Sequence, residues 1–447
     1  MAKHKKAITK VGKHGAAVPP TASAQTLTRP RVRMYRIGFG DFFLLSLPAA
    51  DGPLHILIDC GVHAGDIGAI NNAVTQLQLD TGSHLSLIIM THRHADHISG
   101  FASCRNAFAG FTVDRIWMSW FENRDNKKAM AFQASLAAVA AQLKLALAMS
   151  PIADAKQFTR MADNILGIGA AGVSNQVALD VLHGGFKNKP PIDYYQAGDT
   201  PTLPEILVQA GLVARILGPP IDPTLISQMT NTNQQYLAAA SEAAGAPPLP
   251  FAQPFWKTPS AYPRQAFEHY GARRIEKLIG QVQPDVLAAK AQQADNTLNN
   301  QSLVVLFTFH GKTLLFAGDA QWGNWENFLY GGAYGTPGHT GLTAEAKSIL
   351  GQIDFYKVGH HGSANATPKD AVAAMRDGCA GMCSTQEKCY NGVPKGPLLD
   401  ALRKKMHNQL ARSDQVEAGT AQPAADAGPV PSGFSSLGGK LYIDHLL

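Results

Sequence analysis

Six consecutive residues, His92-Arg93-His94-Ala95-Asp96-His97, crowd four metal-ligand side chains into one short turn. Such a cluster is costly to bury and repels itself unless a cation holds it. Neutral imidazoles and a carboxylate suit zinc or a neighbouring first-row ion, and an open coordination position can generate a bound hydroxide near neutral pH. The pattern points to a metal-dependent hydrolase. Just upstream, Leu85 to Met90 (LSLIIM) is a β-branched, apolar run, which predicts a buried strand whose C-terminal end delivers Thr91 and the cluster into a loop. His92 and His94, two apart in extended chain, point the same way, while Asp96 and His97 turn toward a second position beside the first. Two metals are expected.

Three further strings follow the same logic of a strand ending in a ligand-type residue. They are Ile56-Leu57-Ile58-Asp59-Cys60-Gly61, Thr313-Leu314-Leu315-Phe316-Ala317-Gly318-Asp319 and Phe355-Tyr356-Lys357-Val358-Gly359-His360-His361-Gly362-Ser363. With the His-x-His-x-Asp-His turn between the first and second, their order resembles the metallo-β-lactamase superfamily. Gly38-Phe39-Gly40-Asp41, Asn299-Asn300-Gln301-Ser302-Leu303-Val304-Val305 and the His-His-Gly-Ser ending resemble one branch, the hydrolase domain of ComEC-type DNA-internalisation proteins. They also resemble related phosphodiesterases, including phosphorylcholine esterases. Met382-Cys383-Ser384-Thr385, the stretch from Asn391 to Asp414 and Gly439-Lys440-Leu441-Tyr442-Ile443 resemble that branch's closing strand, helix and strand. The likeness runs from about Arg33 to the C-terminus across a poorly matched middle. Phe39 departs from it, standing where the branch usually has glutamine, and no histidine clearly fills the superfamily's third ligand motif.

The resemblance implies an α/β fold, the metallo-β-lactamase αββα sandwich with a helical insertion. It also implies two Zn2+ per chain, with Mn2+ an alternative for this carboxylate-rich set. His92, His94 and Asp319 would hold the first metal; Asp96, His97, Asp319 and His361 would hold the second. Asp319 bridges, His361 is assigned as the ligand, and His360 as the catalytic or substrate-binding partner. Asp96, His360 and Asp319 are the expected catalytic residues. Asp41 and Asp59 would support the loops, because ligand histidines need a hydrogen-bonded second partner to fix tautomer and direction. Asn300, Ser302 and Ser363 would support the site or meet substrate. His183, in Val181-Leu182-His183-Gly184-Gly185, has the chain order of the missing ligand, although Gly184-Gly185 also reads as an ordinary helix C-terminus that favours histidine.

Composition bears on partners and compartment. Across 447 residues, 45% are hydrophobic and 16% charged, enough to bury a large core. Lys3, Lys5, Lys6, Lys10, Lys13, Arg29, Arg31 and Arg33 are eight positive charges ahead of the first acid, Asp41, with Arg36 between. Removing those eight from the net +6 leaves about −2, so the body is not basic. Residues 1–31 read as a disordered basic tail able to contact polyanions, or one that only adds solubility. Residues 32–447 read as one hydrolase domain. No apolar run suits a bilayer span, since Ser135 to Met149 is interrupted by Gln142 and Lys144, and the N-terminus lacks a signal-peptide core. Five cysteines, Cys60, Cys104, Cys379, Cys383 and Cys389, are an odd number suited to free thiols in a reducing, cytoplasmic setting.

The middle reads as a mostly helical insertion at about 121–290. Helices are expected over Lys127 to Met149, Ala155 to Ile168, Thr224 to Ala244 and Arg264 to Leu278, with strands around Ile192 to Gln196 and Leu212 to Leu217. Resemblance favours a phosphodiester substrate, possibly nucleic acid, cleaved by a hydroxide held between two metals. Two alternatives remain: a lactam, lactone or thioester hydrolase of the same fold, and a catalytically silent metal-binding interaction module. Lys357 and Arg93 are the cations nearest the motifs, without an obvious basic stripe.

Overall fold

Most strands here are apolar on both faces, and such runs fold only where both faces are covered. LHILIDC, LIIM and FYK are buried at every position. A computed structural model describes residues 27–148, 175–236, 297–336, 341–390, 392–415, 427–436 and 441–447. In chain order the first half holds β1 (Arg31–Tyr35), β2 (Phe42–Leu47), β3 (Leu54–Cys60), α1 (Ile70–Thr81), β4 (His84–Leu85), β5 (Leu87–Met90), α2 (Ala95–Ser103), α3 (Arg105–Phe108), β6 (Thr112–Val113), β7 (Ile116–Ser119) and α4 (Lys127–Ala148). There follow α5 (Asn175–Leu182), β8 (Ile192–Tyr195), α6 (Glu205–Gln209), β9 (Leu212–Gly218) and α7 (Pro223–Ile226). The second half holds β10 (Val304–Phe309), β11 (Lys312–Phe316), α8 (Trp322–Tyr330), α9 (Ala344–Leu350), β12 (Phe355–Lys357), α10 (Lys369–Ala374), β13 (Ala380–Cys383), α11 (Gly396–Lys405), β14 (Leu410–Arg412), β15 (Phe434–Ser435) and β16 (Tyr442–Leu446).

The architecture is mixed α/β with several sheets. An eight-stranded sheet runs β15-β16-β1-β2-β3-β5-β7-β8, a six-stranded sheet runs β14-β13-β12-β11-β10-β9, and β4 pairs with β6. Strands β3, β5, β7 and β8 are parallel, as are β11, β12, β13 and β14. Alternate residues of the larger sheet, including Phe43, Leu45, Ile56, Ile58, Ile89 and Trp117, share one core with Phe307, Leu314, Phe316, Phe355 and Met382 of the smaller. On the other side of the larger sheet, Leu44, Leu57 and Ile88 pack with Val74, Leu77, Ile98 and Phe101 from α1 and α2. The smaller sheet's far side, Leu306, Leu315 and Tyr356, packs with Trp325, Leu350, Val372 and Leu402 from α8 to α11.

Several expectations change. The LSLIIM run is not one strand: Ser86 N donates to His55 O at 2.9 Å, and Leu85 pairs with Val113, so the chain shifts between sheets there. Helix continuation beyond Ile226 fails, because the carbonyls of Gln228 and Met229 are used as acceptors by Asn300, Gly323 and Asn365 instead of closing helical turns. Only a 3-10 turn, Thr232–Gln234, follows before residue 236. Within the mostly helical stretch, the strands expected around Ile192 to Gln196 and Leu212 to Leu217 are present, β8 in the larger sheet and β9 in the smaller. Arg31, placed in the tail, is paired in β1 with Leu446 and Ser46. The expected disorder over residues 1–26 and helices over 155–168 and 264–278 lie outside the described residues. Among the described residues all five cysteines are free, and no helix is long and apolar enough to cross a membrane.

Trp117 is fully buried at the inter-sheet seam, stacked on Phe307 at 6.4 Å, with Nε1 donating to Thr202 O at 3.1 Å. Trp117→Ala is expected to cost about 3–5 kcal/mol in chemical denaturation, through both the cavity and the orphaned carbonyl. A loss under about 1 kcal/mol would mean that the two sheets do not depend on this seam.

Candidate metal centre

The parallel strands of both sheets end on one side, where open α/β sheets bind their ligands. From the larger sheet, β5 leads into Thr91 and the histidine turn. His94 is the N-cap of α2, and Asp96 sits in that helix's first turn, where the dipole favours a carboxylate. From the smaller sheet, β11 ends before Gly318-Asp319, β12 before His360-His361 and β13 before Ser384. Gly318 has φ +52°, and a Cβ there would lie 2.9 Å from that of Ser302 and 3.0 Å from that of Thr91. That close approach requires glycine.

Asp59 reaches the centre through a bulge. Phe42 pairs with Cys60 but Phe43 pairs with Ile58, leaving Asp59 as the extra residue at φ 55°. Its carboxylate accepts from Thr91 N at 2.8 Å, Thr91 Oγ1 at 2.7 Å and His97 Nδ1 at 2.7 Å. His361 Nδ1 donates to Ser384 O at 2.8 Å, and His92 Nδ1 faces Ser302 Oγ at 3.3 Å. In each of these histidines the Nδ1 side is engaged by a supporting group, which frees Nε2 for the centre. Ser302 Oγ also accepts from Asp319 N at 3.0 Å, linking the two metal motifs.

One ligand set converges fully. Single donor atoms of Asp96, His97, Asp319 and His361 all lie within 4.8 Å of one another. His361 Nε2 is 3.0 Å from Asp96 Oδ2 and 3.5 Å from Asp319 Oδ2. His97 Nε2 is buried, lacks a hydrogen-bond partner and lies 3.2 Å from Asp319 Oδ2. Two imidazoles and two carboxylates with an orphaned, inward-facing nitrogen fit a divalent first-row cation. The other expected set is less complete: His92 Nε2 and His94 Nδ1 approach to 3.0 Å, but they do not form a compact donor group with Asp319 among the described residues.

Asp41, Asp59 and His97 form a second compact group, yet it is already compensated. Lys357 Nζ forms an ion pair with Asp41 Oδ2, donates to Gly318 O at 3.0 Å and lies 3.8 Å from Asp319 Oδ1. Burial opposes the lysine's charge, but Asp41 and Asp319 outweigh it and raise its pKa. His97 is likewise raised well above the imidazole range: burial lowers it, while Asp319, Asp59 and Asp41 prevail. His361 is raised against burial chiefly by Asp319 and its hydrogen bond to Asp96. Conversely Asp319, despite burial, is held well below the carboxylate range by His97 and His361. Asp96 is also lowered, its hydrogen bond to His361 overcoming burial. His92 is pushed down by burial and by His97 and His94.

Other candidates fall elsewhere. His183 caps the end of α5, with Nδ1 2.7 Å from Leu179 O and Nε2 3.3 Å from Tyr194 Oη, and does not join the cluster. The helix C-terminus, not the ligand role, describes it. Asn300 is fully buried, donating to Ile226 O and Gln228 O and accepting from Gln321 N, so it pins loops and does not meet substrate. Its neighbour Asn299 faces His360 Nε2 at 3.3 Å. Arg93 pairs with Glu122 at 2.6 Å, and Lys357 is sealed beneath the centre, so neither is a free phosphate contact. Ser363 lies 2.8 Å from His360 Nδ1. Phe39 covers the His361 ring at 4.2 Å and continues to Tyr390 and His63. Lys357 is the support that the sequence left without a role; its signal was a lysine beside the apolar residues of a strand that leads to the His360-His361 turn.

His97 and His361 bind protons more tightly folded than unfolded, so their contribution to the metal-free fold is complete below the ordinary imidazole value of 6.5 and lost as pH rises through the raised values. Asp96 and Asp319 contribute fully above the ordinary 3.8 and lose it as pH falls. Chelator-treated protein is therefore expected to be most stable between those limits, and zinc affinity to rise with pH as the Nε2 protons are displaced. Melting curves from about pH 5 to about pH 9, with and without zinc, measure both trends. Zinc affinity that stays flat across that range would remove His97 and His361 from the ligand set.

No protein-family model matches this chain and no curated protein matches it, so the functional reading rests on these residues and their geometry.

Proposed function

We propose that this protein is a metal-dependent hydrolase of the metallo-β-lactamase αββα type, acting on phosphodiesters. The observation that carries the reading is the convergence of Asp96, His97, Asp319 and His361, drawn from three separate strand ends, with two imidazole Nε2 atoms facing two carboxylates. Asp59 and Ser384 engage the Nδ1 atoms of His97 and His361 from outside, which leaves both Nε2 atoms turned toward the carboxylates, as metal ligation requires. The sandwich is supported by the core shared between the two large sheets and the helices packed on their far sides.

Asp96, His97, Asp319 and His361 would hold one cation; His92 Nε2 and His94 Nδ1 would offer a second position with fewer protein donors. Bound zinc or manganese would lower the pKa of a water and neutralise charge developing on phosphoryl oxygens. The chain's own contribution is orientation. Asp59 and Ser384 hold ligand tautomers, Ser302 ties the Asp319 loop to His92, and Lys357 balances the carboxylates from below. His360 and Asn299 stand beside the ligands, where a substrate oxygen would be met. Because Arg93 and Lys357 are committed internally, the substrate's charge falls mainly to the cations.

Hydrolysis of bis(p-nitrophenyl) phosphate and of labelled single- and double-stranded DNA, in zinc or manganese, tests the assignment. Metal-dependent turnover is expected, falling on the order of a hundredfold or more in Asp96→Ala and in His361→Ala. Cleavage of the small diester alone would set polymers aside. Silence toward every phosphodiester, with metal still bound, would overturn the reading in favour of a lactam or thioester hydrolase or a silent binding module.

A further inference from the structure

His360 is set apart from its neighbour His361. Its backbone N–H donates to Asp319 Oδ1 at 3.1 Å, yet its ring lies 6.4 Å from that of His361 and makes its own contacts. Nδ1 lies 2.8 Å from Ser363 Oγ and 3.1 Å from Asn365 Oδ1. Nε2 lies 3.3 Å from Asn299 Nδ2. The four-residue turn His360 to Ser363 is closed by Ser363 N–H donating to His360 O at 2.9 Å, with Gly362 at φ +79°, and Asn365 follows two residues on.

Donor counting decides where the ring proton sits. Asn365 Nδ2 donates to Met229 O at 3.2 Å, which turns Oδ1 of the same amide toward Ser363 and His360. A carbonyl oxygen only accepts, and Ser363 Oγ gives its one proton to it at 2.7 Å. Ser363 Oγ therefore meets Nδ1 as an acceptor. Both partners of Nδ1 are acceptors, so Nδ1 carries the hydrogen and Nε2 of the neutral ring keeps a lone pair. That lone pair is matched by the Asn299 amide N–H; Asn299 is 3% exposed, and its Oδ1 has no hydrogen-bond partner.

We infer that Asn365, anchored on the Met229 carbonyl, is a positioning residue that acts with Ser363 to hold His360 in the Nδ1–H form. The one lone pair of His360 Nε2 then accepts from Asn299 Nδ2, or from a water or substrate hydroxyl that takes its place, and the donor available to an anionic substrate oxygen beside it is Asn299 Nδ2. The roles divide between two side chains. His360 does not donate to a phosphoryl oxygen from its neutral state, since no proton is on the nitrogen that faces that way.

The test reads the tautomer directly. In metal-free protein labelled with 15N-histidine, at a pH where the ring is neutral, the His360 signals are assigned by their loss in His360→Gln. Wild type is expected to show protonated Nδ1 and bare Nε2, and Asn365→Leu a shift toward protonated Nε2. Asn365→Ala repeats the measurement with less bulk at the Met229 turn, and melting curves identify any variant that fails to fold. Protonated Nε2 in wild type, or an unchanged tautomer in both folded variants, would overturn the inference. This arm needs no turnover, so it stands or falls apart from the phosphodiesterase reading. The kinetic arm rests on that reading: Asn365→Leu is expected to lower kcat roughly 10- to 100-fold with little change in KM, and Ser363→Ala to lower it less, since Asn365 Oδ1 still accepts. A rise in KM at unchanged kcat would instead make Asn365 a substrate contact and overturn the positioning role.

Discussion

Negative charge gathered in a dry place is what the rest of this structure answers to. Asp41, Asp59 and Asp319 are at most 1% exposed, and Asp96 completes the group from the start of α2. Uncompensated, each buried carboxylate would cost several kcal/mol. Lys357 supplies one permanent positive charge from below. His97 and His361 add to it, because the carboxylates around them raise their pKa and favour the charged ring. A divalent cation, as proposed, would make the same compensation more completely, displacing those protons and using the Nε2 atoms that they occupy. Folding, protonation and metal binding would then be linked through one cluster.

Geometry at that cluster depends on two sheets being fixed against each other. Asp59, His92, His94, Asp96 and His97 ride on the larger sheet, while Asp319, His361 and Ser384 ride on the smaller. A shift of an ångström in the shared core would separate His97 Nε2 from Asp319 Oδ2, now 3.2 Å apart. Local backbone strain adds the final aim. Asp59, His360 and His361 all have positive φ, a conformation that costs L-residues about 1–2 kcal/mol each. A hydrogen bond donated by Thr91 to Asp59, and those accepted by Ser384 O from His361 and by Gly318 O and Asp319 Oδ1 from His360, offset that cost.

Around the ligands, positive side chains are already engaged. Arg93 is locked to Glu122, and Arg412 to Asp414 and Glu387. Under the proposed function, an anionic substrate would be met by the bound cations and, among the described residues, by the Asn299 amide beside His360, with the ring edge of Phe39, Tyr390 and His63 nearby.

The sequence by itself determined which metal-binding residue types are present, their order and that strands precede them, although the LSLIIM run divides into two. LSLIIM before the histidine turn, TLLFAGD and FYKVGHHGS are local patterns, and residue chemistry states what each can bind. The structure also brings Asp59 against His97, and His361 into the group with Asp96, His97 and Asp319, positions that the resemblance implied. What only the tertiary structure decided are the pairings between residues far apart in the chain. His183 could be a ligand by chain order or a helix C-terminus and is the latter, and Lys357, a cation near the motifs by sequence, pairs with Asp41. Asn300 and Asn299 are adjacent, yet one pins loops and the other faces His360. The expected helix after Ile226 gave way because its carbonyls were taken by Asn300, Gly323 and Asn365. Local propensity is a matter of tenths of a kcal/mol per residue, whereas satisfying a buried amide or charge is worth about one to several, so the long-range partners prevail.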